Sequence, residues 1–297
     1  METGFSILIP TWNNLPYLKL CIRSIRQHSV YDHQIIVHVN DGADGTLEWV
    51  KSEGLEYTHS AQNIGVCLAM NTMRRLVRTD YMYFINDDMY VLPGWDRVLM
   101  EEIKSLPDNR FYLSGTMIQP HDRNDVGLCI NYGDSVETFQ EERLLAGYMD
   151  EPYGDWQGST RPPNIVHRDI WDLVGGYSIE FSPGMYSDPD FTAKLLSVGI
   201  RHFKGMGRSR VYHFETKTTG RIRKNDGATQ FLLKWGFSNS TMRKYVTRQG
   251  EPWEEHEKPL NQQQIVRRQR WARWKALWYL LRRGFGNVSL DIRHLFV

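Results

Sequence analysis

Hydrophobic and polar positions along the first hundred residues switch between two periods. Phe5–Pro10 (FSILIP) is a short apolar run closed by proline, a strand, and Leu15–Ile25 then carries Leu18, Cys21, Ile22 and Ile25 at helical spacing. Gln34–Val39 (QIIVHV) is a second strand stopped by the turn-rich NDGADG; Thr46–Ser52 is a short helix and Glu56–His59 an edge strand. Gly65–Val77 sets Val66, Ala69, Met70, Met73 and Val77 at helical spacing, Tyr81–Ile85 (YMYFI) is a buried strand, and Trp95–Ile103 is the next helix. Strands alternating with helices predict βαβ units, a mostly parallel central sheet and right-handed crossovers, an α/β fold. In such a sheet Pro10-Thr11, Asn40-Asp41 and Asn86-Asp87-Asp88 all end strands at one edge, where open α/β sheets bind ligands.

Beyond residue 110 the pattern loosens. Phe111–Ile118 reads as a strand, and 119–164, rich in Gly, Asp, Pro and Tyr, as loops and short hairpins. DIWDLVGG from Asp169 is helical up to its glycines. Ser187–Gly199 opens like a helix with proline in its first turn, and Val211–Phe214 (VYHF) is a terminal strand. The 297 residues are 41% hydrophobic and 24% charged, ordinary for a soluble globular chain of one large domain, with or without an extension. A formal net charge of +1 gives no electrostatic case for a nucleic-acid partner. Cys21, Cys67 and Cys129 form no CxxC pair, which argues against a zinc site or disulfide framework and fits a reducing compartment. The first residues enter a strand with no room for a signal peptide, and no run approaches the roughly 18 apolar residues of a membrane span. The expected location is cytoplasmic.

Adjacent carboxylates at a strand end need a positive partner, because burying unpaired charge is costly. Asp87 and Asp88 therefore suit Mg²⁺ or Mn²⁺ holding phosphate oxygens; the alternative is a turn in which Asn86 and Asp87 cap backbone and Asp88 faces water. Asp41 either accepts hydrogen bonds from a nucleobase or ribose, or makes an Asx-turn at Gly42. Asn63 either caps the helix that begins near Gly65 or belongs to a donor site, and the amides of that helix start face the same crevice. Asp188 and Asp190 stand where a helix dipole favours acids; the dipole lowers a carboxyl's pKa and desolvation raises it. His213 is a core histidine or, as neutral imidazole, completes a metal shell begun by Asp88.

In order and spacing these blocks resemble a family 2 glycosyltransferase, an inverting, nucleotide-sugar-dependent enzyme of the bacterial polysaccharide and glycolipid type. The resemblance covers about residues 5–215. ILIPTWNN is similar to the family's opening strand, VNDGADGT to its second-strand turn, QNIGVCLAMN to its Asn-x-Gly…Ala-x-Asn helix, and INDDMYVLPGW to the DxD block with its Pro-Gly-Trp. RDIWDLVGGYS and SDPDFTAKLLSVGIR are similar to the Gly-Gly-(Phe/Tyr) and Glu-Asp-x-Asp segments, and VYHF to the closing His block. The resemblance implies the glycosyltransferase-A (Rossmann-like) fold and a nucleotide-diphosphate sugar donor. It implies Asp188 as general base, Asp88 and His213 as ligands of Mn²⁺ or Mg²⁺, and Asp41, Asp87, Pro10 and Thr11 in the donor pocket. Asn63 joins them there. Asn86 replaces the first DxD aspartate, and Ser187 stands where the family has Glu. Lys217, Arg221, Arg223 and Lys224 follow the His block, either as a loop closing over the diphosphate or as a solvated basic loop; Arg221 and Arg223 are counted as donor contacts. The rival enzyme class, a sugar-phosphate nucleotidyltransferase, calls for a Gly-rich basic N-terminal signature that ILIPTWNN lacks. A non-catalytic sugar-nucleotide-binding relative is the other alternative.

A catalytic domain over 1–236 and a helical extension over 237–297 follow from a late shift in composition. QQQIVRRQRWARWKALWYLLRRG aligns Trp271, Trp274, Trp278 and Leu281 on one helical face beside Arg268, Lys275 and Arg282, and Asp291 is the only acid after residue 260. A basic helix with interfacial tryptophans fits peripheral contact of 262–284 with the inner face of a membrane, near a glycan or lipid-linked acceptor. The alternative is that the tryptophans dock on the catalytic domain or on a second subunit.

Overall fold

The computed structural model describes residues 3–121, 126–158, 161–215, 225–255 and 262–283. The first half runs β1 (Thr3–Trp12), α1 (Leu15–His28), β2 (Asp32–Asn40), α2 (Thr46–Ser52), β3 (Glu56–Ser60), α3 (Gly65–Met73), β4 (Tyr81–Phe84), β5 (Met89–Val91) and α4 (Trp95–Ser105). It continues with β6 (Phe111–Gln119), β7 (Leu128–Cys129), α5 (Glu141–Gly147), β8 (Trp156–Gln157), β9 (Asn164–His167) and α6 (Arg168–Leu173). The last elements are α7 (Ser187–Ser197), β10 (His202–His213), α8 (Gly227–Trp235), α9 (Asn239–Thr241) and α10 (Gln262–Arg283).

One sheet holds the strands in the order β3-β2-β1-β4-β9-β6-β10-β5, with β7 on β6 and β8 on β10. The pairs β1/β2, β2/β3, β1/β4, β6/β10 and β6/β7 are parallel; β9 lies antiparallel between β4 and β6, and β5 and β8 are antiparallel to β10. The sheet is thus mostly parallel, as the alternating pattern predicts. Strand period two explains why both faces are buried: Phe5, Ile7 and Ile9 pack with Leu18, Ile22, Trp95 and Leu99, whereas Leu8, Ile36 and Phe84 pack with Met70, Trp171 and Phe191.

Two strands escape the local pattern. β9 has only two apolar residues after Pro162-Pro163, and β10 begins nine residues before the predicted VYHF. The early part of β10 carries Lys204 and Arg210, both buried: Lys204 pairs with Glu102 at 2.8 Å and Asp155 at 3.1 Å. Arg210 donates to the carbonyls of Gly207, Glu151 and Tyr148. Charge met by distant partners leaves no apolar alternation to read.

Candidate active site

The C-terminal ends of β1, β2, β4, β6 and β10 surround a cavity of about 440 Å³. Pro10, Thr11, Asn63, Asp87, Asp88, Asp188 and His213 all line it. Asp41 stands one residue past the lining Asn40; Arg221 and Arg223, with Lys217 and Lys224, lie outside the described residues.

Asp87 and Asp88 form the turn between β4 and β5 and both line the cavity; Asp88 is buried, which corrects the alternative in which it faces water. Thr11 Oγ1 donates to Asp87 Oδ2 at 2.6 Å, tying the end of β1 to the turn. The carboxylate of Asp88 lies 3.3 Å from Nε2 of His213, and the Phe214 amide donates to the Asp88 carbonyl at 3.0 Å. Antiparallel pairing of His213 with Met89 produces this contact between residues distant in sequence. Behind His213, Gln119 Nε2 is 3.1 Å from its Nδ1 and donates to Glu215 Oε1 at 3.2 Å. Glu215 lines the cavity with its side chain 5% exposed and its backbone at φ +55°, an uncommon conformation for a residue other than glycine.

Across the cavity, Asp188 sits in the first turn of α7 and accepts a hydrogen bond from the Tyr177 hydroxyl at 2.8 Å. Burial pushes its carboxyl up to about 6, against the opposing pull of the Tyr177 bond and the Arg161 charge. Desolvation therefore outweighs everything that favours the ionised form at this helix start. Tyr177 is itself fixed, because Asn71 Oδ1 accepts from its amide and Asn71 Nδ2 donates to its carbonyl, at 2.9 and 2.8 Å. Asp190 is different in kind: fully buried, it accepts from Trp235 Nε1 at 2.8 Å and pairs with Lys234 at 2.9 Å, fastening α7 to α8. Ser187 spends its hydroxyl on the Gly184 carbonyl at 2.8 Å.

The donor side has a tight backbone. Asn63 Oδ1 accepts from the Gly65 amide at 2.9 Å and the residue lines the cavity, but the cap position of α3 falls on Ile64, one residue later than the capping reading placed it. The expectation that free amides of this helix start serve a nucleotide is corrected at three positions. Asn40 takes the Ile64 amide, Asn63 that of Gly65 and the Pro183 carbonyl that of Val66. Asp41 accepts from Asn13 Nδ2 at 2.9 Å, and the Gly42 amide goes to Asn13 rather than to an Asx-turn on Asp41.

Gln119, Glu215 and Arg161 join the site without having been singled out from sequence, whereas Asn40 was named only as a strand end and Tyr177 only as the aromatic of the Gly-Gly-Tyr block. Gln119 and Glu215 follow strand ends, so the rule that found Asp88 and His213 reaches them too. Arg161 lies in a loop with no local signal.

The donor set suits a hard divalent cation: a carboxylate and an imidazole face one cavity. Among the described residues no three His, Cys, Asp or Glu side chains converge into a ready-made cage.

Residues 6–143 match the family model described as glycosyl transferase family 2. The chondroitin synthase of Escherichia coli is 22% identical over 224 residues, 73% of this chain and 30% of that protein. Uncharacterized protein y4gI of Sinorhizobium fredii is 23% identical over 234 residues, 72% of this chain and 25% of that protein. The chain therefore spans less than a third of the length of these curated relatives. The fold is similar to S. aureus TarS residues 1–349 in complex with UDP-GlcNAc, with TM-score 0.58, 14% identity, and 79% and 65% of the two chains covered. It is also similar to GalNAc-T7 with UDP, GalNAc and Mn²⁺, with TM-score 0.54, 13% identity, and 76% and 45% covered. Sheet order, cavity and structural likeness agree on the glycosyltransferase-A fold, and residues 6–143 carry the match to glycosyl transferase family 2.

Proposed function

We propose that the chain transfers a sugar, with inversion, from a nucleotide-diphosphate sugar to a hydroxyl of a glycan or lipid-linked acceptor. The observation that carries this reading is the desolvated Asp188 carboxyl, oriented by Tyr177, in the same cavity as Asp87, Asp88 and His213. Asp188 takes the proton of the acceptor hydroxyl as that oxygen attacks the anomeric carbon, and the nucleoside diphosphate leaves on the opposite face. A carboxyl titrating near neutrality is well matched to this task, and such a base contributes typically about 10²–10⁴-fold. Asp88 and His213 would hold Mn²⁺ or Mg²⁺. When bound, the ion supplies neutralisation of the charge that develops on the leaving diphosphate. Asp87, held by Thr11, contacts the donor ribose or sugar; Pro10, Thr11, Asn63 and Asp41 shape the nucleoside pocket, and Arg221 and Arg223 meet the diphosphate.

UDP-GlcNAc in TarS and UDP with Mn²⁺ in GalNAc-T7 put uridine diphosphate sugars first among donors to test. A thermal-shift panel of UDP-, GDP-, dTDP- and CMP-sugars with and without Mn²⁺ should single out one donor, because a ligand that binds only the native state raises its stability. Donor hydrolysis or transfer should then vanish in Asp188→Asn while the donor-induced shift persists. Retained turnover in that variant removes Asp188 as the base. Binding without turnover in the parent chain makes it a non-catalytic donor-binding relative.

A further inference from the structure

The two sides of α10 are unlike. Ala272, Ala276 and Leu280 are buried against Leu232 of α8, with Leu233 and Tyr279 packed alongside. At 3.6 residues per turn the opposite side carries Trp271, Trp274, Trp278 and Leu281, exposed by 71, 71, 49 and 60%. The small-residue face is the one that docks, which corrects the alternative in which the tryptophans pack on the catalytic domain. Arg267 and Arg270 are interleaved with the tryptophans, Arg268, Arg273 and Lys275 flank them, and all five are exposed. No Asp or Glu occurs from Gln262 to Arg283.

A cover for this face must be apolar at the depth of the indoles and negative at its rim. We propose that it docks α10, lying in plane, on an anionic phospholipid bilayer, with indoles at headgroup level and the cations on headgroup phosphates. A second copy of this chain fits less well, since a symmetric pairing would set one acid-free basic face against another. Among the described residues no helix is long and apolar enough to cross a membrane, so the contact is peripheral. Lys234 and Trp235 of α8 bind Asp190, two residues from Asp188, so the docked helix reaches the base through one intervening helix. Docking would hold the cavity close to an acceptor carried in the same bilayer, although the docking itself does not depend on the catalytic reading.

Co-sedimentation of the full chain with phosphatidylcholine vesicles, with and without phosphatidylglycerol, tests this directly. Binding should require phosphatidylglycerol and bring a blue shift of tryptophan emission. Replacing Trp271, Trp274 and Trp278 by Ala should abolish that shift and weaken partitioning at least about tenfold. Arg267→Gln with Arg270→Gln should weaken it about thirtyfold, two cations at the leaflet surface. Both variants alter exposed side chains, so their melting temperatures should match the parent's. Failure to bind, or equal binding to both vesicle types, overturns the proposal. So does a dimer in solution that the tryptophan replacements dissolve, since a second copy would then be the cover.

Discussion

Tyr177 and Arg161 pull the Asp188 carboxyl down while burial pushes it up, and burial wins, at about 6. Cys67 and Tyr112, which also face it, stay neutral because burial lifts the thiol to about 12 and the phenol well above its ordinary value. Turnover should therefore fall as pH drops through about 6, and a pH–rate profile checks it. Tyr177→Phe removes a bond that favours the ionised form, so the acidic limb should move up by somewhat less than one pH unit with donor KM little changed. A lowered melting temperature with an unmoved limb would mean that Tyr177 only packs. Stability should respond in the opposite sense to activity. The folded-state pKa lies above the unfolded one, so the native chain binds the extra proton between about pH 4 and 6 and loses stability as pH rises through that window. Asp188→Asn should consequently melt above the parent at pH 8, by an amount on the order of 1–2 kcal/mol, and lose that advantage near pH 4. The place of Asp188 at a helix start was legible because acid followed by proline there is a local pattern. Of its partners, Tyr177 lay in the Gly-Gly-Tyr block with no role attached, and Arg161 sits in a loop that no local pattern places.

α3 begins where it does because Gly65 adopts φ +76° against the loop at Pro183, where a Cβ would stand 2.6 Å from the Pro183 backbone. Gly65→Ala should cost about 1–3 kcal/mol in a denaturant melt and should also weaken donor binding, as this contact forms one wall of the cavity. Between α7 and α8 the buried Asp190 relies on Lys234 for its countercharge. Lys234→Met should destabilise by about 2–3 kcal/mol, less than a fully buried pair loses because Lys234 is 29% exposed. Strands and helices of the first hundred residues were readable because each buries one periodic face. β9 and the first part of β10 were not, because Asn164–His167 is short and Lys204 and Arg210 are satisfied by residues far off in sequence.

At the scale of the molecule, the candidate ion site belongs to no single segment: Asp88 comes from the β4–β5 turn and His213 from the end of β10. Chelating divalent ions should reduce the donor-induced thermal shift, and His213→Ala should give the same reduction without a chelator. A donor shift insensitive to both would remove the ion from the reading. The placement of β9 has a further consequence for how the chain is made. As synthesis proceeds from the N-terminus, β3, β2, β1 and β4 can pair with one another in turn, but the free side of β4 belongs to β9, which comes much later. Until Asn164–His167 emerges, β4 presents open backbone donors and acceptors to any neighbouring strand. Residues 6–143, the stretch that matches the family model, stop short of that closure. Expressed alone they should aggregate, whereas a fragment extended through β10 should remain dispersed in a light-scattering comparison.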